Sequence, residues 1–354
     1  MKKCLSAIIL LTTIQLSAAD FTSVNVENFI RETWNPSTVI VDVRTESEYT
    51  EGHLAGALLI DFKQTDFMQQ VSDRLPKNKR LAVYCRSGKR SKQAALQLAE
   101  AGYVVTELDG GILAWQEAKK KVVKGSKAEL ERYEEHLFQV NKQFAVKYRD
   151  VQVGEEEPTQ LIIYLHSSSA CGIDNELPVR QPTFKQLMRY AEEANLSARI
   201  LVPQCRVDRR WNEYRPMQGC MMSEALFALI KDYQKQYGLQ EVYILGASFG
   251  GAGVWRMLSD YPKMFTAAML AAAYPLKNIK TKQVAKTPLC VVLGENDNRS
   301  GVEKVEPTVK EVEAQKGSNV RYIVIDGADH YQACNEAFTK ENLDWVFQQT
   351  APHK

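Results

Sequence analysis

Two series of short β-branched and aliphatic runs alternate with helical stretches along this chain, and that alternation restricts the fold more than any other feature. In the first series, residues 39–43, 81–84 and 104–108 read as strands and 91–101 as a helix. In the second, residues 161–165, 200–203, 242–245, 267–273, 289–293 and 322–325 read as strands, with 223–237 and 251–261 the clearest helices. Strands that alternate with helices are joined by crossovers, so the expected class is α/β, with mostly parallel sheets and helices on both faces. Between the series, Lys119-Lys120-Lys121-Val122-Val123-Lys124-Gly125 follows neither period and reads as a solvated linker, a membrane-headgroup patch being the alternative. Ser126-Lys127-Ala128-Glu129 has the form of a capping box and predicts a connecting helix to about Asn141. A chain of 354 residues exceeds what one core usually holds. The expected organisation is therefore a leader over 1–19, a first domain over 20–121, a linker helix over 122–142 and a second domain over 143–354.

The leader is expected because Lys2 and Lys3 precede an apolar run from Cys4 to Leu16, which is too short to span a bilayer, and Ser17-Ala18-Ala19 suits cleavage before Asp20. A periplasmic or secreted location follows, with no stable membrane insertion after cleavage. Loss of Lys2 and Lys3 leaves as many basic as acidic residues, so nothing in the charge balance points to a nucleic-acid partner. In an oxidising compartment Cys171, Cys205, Cys220 and Cys334 are candidates for two disulfides, in any of three connectivities. Cys290, inside an apolar run, reads as a buried free thiol. The histidines are scattered and no short Cys/His spacing occurs, so neither a metal nor a cofactor is expected.

Cys85-Arg86-Ser87-Gly88-Lys89-Arg90 follows the strand ending at Tyr84 and leads into a helix. A cysteine at a helix N-terminus with three cations in six residues is placed to react as thiolate, and turn N–H groups can cradle an anion. This loop, with Asp42-Val43-Arg44, Glu48-Tyr49, Gly52-His53 and Asp109-Gly110-Gly111 with Ala114-Trp115, resembles a single-domain rhodanese over residues 21–121. A six-residue loop is similar to that of the sulfurtransferases, whereas the related phosphatases carry one residue more. The resemblance implies sulfur transfer through a Cys85 persulfide, from a small-molecule sulfur donor to a thiol acceptor. Arg86, Lys89 and Arg90 then attract the donor, Ser87 and Gly88 line its cradle, and Asp42 and Arg44 hold the neighbouring strand end. For His53, a structural hydrogen bond and a catalytic role stay open.

Gly246-Ala247-Ser248-Phe249-Gly250-Gly251 lies between a strand and a helix, the setting in which G-x-S-x-G exposes a nucleophilic serine. The order Ser…Asp…His is met by Asp297 and His330, with Glu295 and Asp326 as rival acids, and both positions follow strand C-terminal ends. With His166, Asp174-Asn175-Glu176 and Val202-Pro203-Gln204-Cys205, residues 145–350 resemble an α/β-hydrolase, closest to secreted esterases and peptidase-like members. The resemblance implies an ester or amide substrate and an oxyanion hole from the N–H of Phe249 and that of Ser167 or Ser168. Ser167 stands where such loops usually have glycine. His166 is expected to brace the loop, and Trp211 either walls the pocket or fills the core. Three readings remain: a bifunctional sulfurtransferase and serine hydrolase, a hydrolase whose rhodanese-like domain binds sulfide, a thiol or a partner, or the inverse, a live rhodanese whose hydrolase fold serves as a binding module.

Overall fold

The computed structural model describes residues 20–33, 35 and 37–350; the expected leader lies outside them. Two compact units divide after Lys121, with Thr50–Gly56 grouped into the second. In the first, β1 (Thr22–Val24), β2 (Thr38–Asp42), β3 (Leu58–Leu59), β4 (Arg80–Tyr84) and β5 (Val104–Leu108) form a parallel sheet in the order β1-β5-β4-β2-β3. Val41, Leu81, Val83 and Val105 meet Phe67, Val71 and Leu98 in its core. Residues 81–84 of β4 are wholly buried, which is why that run reads as continuously apolar rather than alternating. The strand ends at Tyr84, and Cys85 follows it ahead of the helix Lys89–Glu100.

The second unit holds β6 (Glu134–Asn141), β7 (Phe144–Val153), β8 (Gln160–Leu165), β9 (Ala198–Pro203), β10 (Glu241–Ala247), β11 (Ala267–Ala271), β12 (Leu289–Gly294) and β13 (Val320–Ile325). Their order is β13-β12-β11-β10-β8-β9-β7-β6, parallel from β13 to β9 and antiparallel from there to β6. Leu161, Ile163 and Leu165 of β8 and Val242 and Ile244 of β10 enter one core; Ile162, Tyr164, Tyr243 and Leu245 enter the other. The period of two thus fills a core on each face. Among the described residues no helix is long and apolar enough to cross a membrane.

The expected linker helix over 122–142 is corrected: the helix covers only Lys127–Glu131, and β6 follows. Phe138 and Val140 both pack on one core while the flanking Leu137 and the intervening Gln139 are exposed, a strand's alternation that the capping motif outweighed in the sequence. The β6–β7 pairing brings Glu134, His136 and Asp150 together, with His136 Nε2 2.8 Å from Asp150 Oδ1. Asp150 Oδ2 is already held by Arg199 and Tyr233, each at 3.1 Å.

The helix Phe249–Asp260 starts directly after β10, and Gly250 lies so close to the end of β8 that a Cβ there would overlap the Leu165 carbonyl oxygen. Gly250→Ala is expected to cost about 3 kcal/mol, because neither backbone can retreat without disturbing the sheet. Urea unfolding at neutral pH measures this.

Candidate functional sites

In the first unit the loop after β4 is held from beneath. The carbonyls of Cys85 and Arg86 accept from Ile112 N–H at 2.9 Å and Leu113 N–H at 3.1 Å. Gly111 permits that approach, since a Cβ on it would stand 2.5 Å from the Cys85 carbonyl oxygen. Cys85 is almost wholly buried at the base of the loop, while Arg86, Ser87 and Lys89 are exposed. Arg90 departs from the expected set of three donor-attracting cations. Its guanidinium grips Glu48 through two bonds of 2.8 and 2.6 Å, and Arg90 holds that carboxyl down at about 2. Asp42 joins Arg44 Nη2 at 2.7 Å and accepts from Tyr84 Oη at 2.6 Å, all buried at the end of β2.

Ser91 and Glu107 are site residues that sequence reasoning missed. Ser91 Oγ lies 3.3 Å from Cys85 Sγ and 2.6 Å from Glu107 Oε1, and Ser23 Oγ donates to Glu107 Oε2 at 2.5 Å. Ser91 Oγ is within donating distance of three acceptors, Cys85 Sγ, the Gly88 carbonyl at 3.1 Å and Glu107 Oε1, so its single proton serves the sulfur only at the carboxylate's expense. The signal was present: an acid inside the strand 104–108 must be paired when buried.

In the second unit Ser248 occupies the turn between β10 and its helix at φ +53°, ψ −118°, its N–H bonded to the Ala271 carbonyl at 2.8 Å. Ser248 Oγ lies 2.9 Å from His330 Nε2, and His330 Nδ1 lies 2.8 Å from Asp297 Oδ2. Asp297 Oδ1 accepts from the N–H groups of Arg299 and Ser300, which fixes the carboxylate. The two rival acids, Glu295 and Asp326, are exposed, and Glu295 accepts from Gly327 N–H. The structure therefore brings Ser248, Asp297 and His330 into one line. Phe249 N–H opens the helix, where the first turn's N–H groups have no intrahelical acceptor.

The oxyanion expectation changes in one respect. Ser167 N–H is taken by Gln181 Oε1 at 3.0 Å, which leaves Ser168 as the loop's candidate donor. Gln181, another residue the sequence did not flag, also accepts from Tyr164 Oη at 3.0 Å and donates to Ser167 Oγ at 2.6 Å and Ser169 Oγ at 3.1 Å. Ser167 itself has φ −73°, ψ 168°, a conformation open to any residue, so glycine is not needed there. His166 is buried and held down to about 4 by that burial. As neutral imidazole it donates from Nδ1 to the Ser167 carbonyl at 2.7 Å and accepts at Nε2 from Cys205 N–H at 2.9 Å.

Trp211 is a correction: it is fully buried, its Nε1 donating to the His166 carbonyl, so it supports the loop from the core and does not wall a pocket. Cys85, Cys171, Cys205, Cys220, Cys290 and Cys334 are all free thiols here, unlike the two expected disulfides. Cys334 packs on the opposite sheet face from Cys171, Cys205 and Cys220, which removes it as their partner. His53, grouped with the second unit, is buried with its Nε2 3.0 Å from Glu176 Oε1.

Two pH effects follow. The unfolded chain protonates His166 near 6.5 and the folded protein only near 4. This contribution is complete above pH 6.5 and disappears as pH falls to 4, worth up to about 3 kcal/mol. In His166→Asn, urea unfolding at pH 7 and 4.5 is expected to show lower stability at neutral pH and a smaller loss on acidification. Glu48, ordinarily near 4.5, stabilises fully above that pH and loses its contribution as pH falls to about 2. Glu48→Gln is expected to cost about 1 kcal/mol at pH 7, with the difference closing in acid.

Comparison with known proteins matches these units separately. Residues 25–118 fit the rhodanese-like domain family. Thiosulfate sulfurtransferase 16, chloroplastic, of Arabidopsis thaliana is 35% identical over 85 residues, covering 21% of this chain and 71% of that protein. A sulfurtransferase of Allochromatium vinosum is 38% identical over 78 residues, covering 22% of this chain and 70% of the relative. A solved thermostable esterase superposes with a TM-score of 0.54 at 22% identity, over 65% of this chain and 66% of its own, a likeness of fold. The chain belongs to the rhodanese-like family through its first domain and continues into a body with the α/β-hydrolase fold.

Proposed function

We propose that the protein is an exported two-domain enzyme, a sulfurtransferase at Cys85 and a serine hydrolase of ester or amide bonds at Ser248, Asp297 and His330. The observation that carries it is the hydrogen-bonded line from Ser248 Oγ through His330 to Asp297, at 2.9 and 2.8 Å, on a left-handed elbow. His330 Nε2 takes the Ser248 proton as Oγ attacks the acyl carbon, while Asp297 keeps Nδ1 protonated and stabilises the imidazolium. Phe249 and Ser168 N–H groups receive the oxyanion. His330 passes the proton to the leaving group, then activates water to release the acid.

At the other site, the Cys85 thiolate attacks the outer sulfur of an anionic sulfane-sulfur donor. The donor's S–S bond breaks, its remainder leaves with the electron pair, and Cys85 holds a persulfide. An acceptor thiolate then attacks the outer persulfide sulfur and restores Cys85. Exposed Arg86 and Lys89 make no ion pair with a described residue and are the cations available to an incoming anion. The alternative, a binding role only, draws support from the burial of Cys85 and the pairing of Arg90 with Glu48.

Cys85→Ala is expected to abolish sulfur transfer from thiosulfate to a thiol while p-nitrophenyl ester hydrolysis persists, and Ser248→Ala to do the reverse. Sulfur transfer that survives Cys85→Ala would overturn the first assignment, and esterase activity that survives Ser248→Ala the second. Gln181→Ala, which frees Ser167 N–H and loosens the serine loop, is expected to lower kcat by about tenfold with a smaller change in KM. Steady-state ester hydrolysis separates the two parameters. Export predicts a mature chain beginning at Asp20, read by intact mass.

A further inference from the structure

The loop that carries Ser167 and Ser168 is tied to the segment after β9 by three bonds. Cys205 N–H donates to His166 Nε2 at 2.9 Å, Gly172 N–H to the Cys205 carbonyl at 3.0 Å, and Gln204 Nε2 to the Ala170 carbonyl at 2.9 Å. Between these ties lie two thiols that take no part in the proposed reaction, Cys171 and Cys205. The bond from Gly172 N–H to the Cys205 carbonyl makes the two cysteines neighbours on adjoining segments, and a disulfide needs α-carbons about 5.5–6 Å apart. The other cysteines do not compete. Cys334 packs on the opposite sheet face, Cys290 is enclosed in β12, and the Cys220 thiol donates to the Met221 carbonyl at 3.1 Å.

We propose that Cys171 and Cys205 form a disulfide that locks the loop from His166 to Gly172; the loop's catalytic importance rests on the hydrolase function proposed above. Cys171 is half-buried and Cys205 fully buried, so an oxidant reaches Cys171 first. The neighbouring Cys205 thiol, aided by nearby Arg210, holds the Cys171 thiol below its usual range, while burial pushes Cys205 up. The Cys171 thiolate attacks a small disulfide oxidant, such as oxidised glutathione, and expels one thiolate. Cys205 then loses its proton, attacks the Cys171 sulfur of the mixed disulfide and expels the second. Two electrons pass from the cysteine pair to the oxidant, which leaves as two thiols. Cross-linking adds a covalent tie to a loop otherwise held by hydrogen bonds, and it shrinks the unfolded ensemble as well.

The test incubates the full-length protein with oxidised glutathione, blocks residual thiols, and maps unreduced peptides by mass spectrometry. The expected result is one linked peptide pair carrying Cys171 and Cys205, the loss of two alkylatable thiols, and an upward shift in the unfolding midpoint. Hydrogen exchange at the amides of residues 167–172 is expected to slow on oxidation and to recover with dithiothreitol. In Cys171→Ser and Cys205→Ser the link and the slowing both disappear. Alkylation of both cysteines after oxidation, a link from either to Cys220 or Cys334, or a bond formed with unchanged exchange in the loop would each overturn the proposal. Because these readouts report the bond and the loop and not turnover, an absence of esterase activity would count against the hydrolase assignment alone.

Discussion

The proposed hydrolase site depends on one backbone contact, the approach of Gly250 to the Leu165 carbonyl at the end of β8. That approach lets the helix Phe249–Asp260 begin with no intervening loop, which forces Ser248 into the left-handed region at φ +53°. Such a conformation costs about 1–3 kcal/mol in a non-glycine residue. It persists because Ser248 N–H is bonded to Ala271 and its carbonyl accepts from Ala252 N–H. The result is a hydroxyl lifted off the strand end beside the unpaired N–H groups of a helix. Strand order supplies the other parts. β8 neighbours β10, so the serine loop after one lies beside the elbow after the other, while Asp297 and His330 follow β12 and β13 on the far side of β11.

The rhodanese-like domain solves a related problem with a different outcome. Its proposed nucleophile, Cys85, also follows a central parallel strand and precedes a helix, and a glycine, Gly111, again permits the close approach. Here, however, the nucleophile is sunk beneath the loop, and carboxylates shape its surroundings. Glu48 occupies the Arg90 guanidinium, and Glu107 reaches the sulfur through Ser91. Of the three cations in the loop, two therefore remain for an incoming anion, which makes the cradle less positive than its composition implies.

Most of the fold was legible because buried parallel strands are short, apolar and evenly punctuated; β5 falls on the residues read as a strand, and the helix Met222–Tyr237 was read within one residue of its start. The stretch from Glu134 to Val153 was not legible. Its antiparallel pairing is a tertiary choice, and an N-capping motif at Ser126 suggested a longer helix than packing allows. Ser248, Asp297 and His330 could be found because each stands at a strand end in a known order. Gln181 and Ser91 could not, since their roles come from hydrogen bonds to residues that only the folded chain brings near. Trp211 could be read as a pocket wall or as a core residue, and only packing shows that its indole supports the His166 carbonyl from inside.

The central claim is that Ser248 is an activated nucleophile. Its most direct test is peptide mapping of the folded protein after exposure to a fluorophosphonate, with Ser248→Ala alongside. A single adduct on Ser248, absent from the variant, is the expected result. No adduct on a protein shown to be folded, or one that forms equally in the variant, would contradict it and leave the second domain with a binding role.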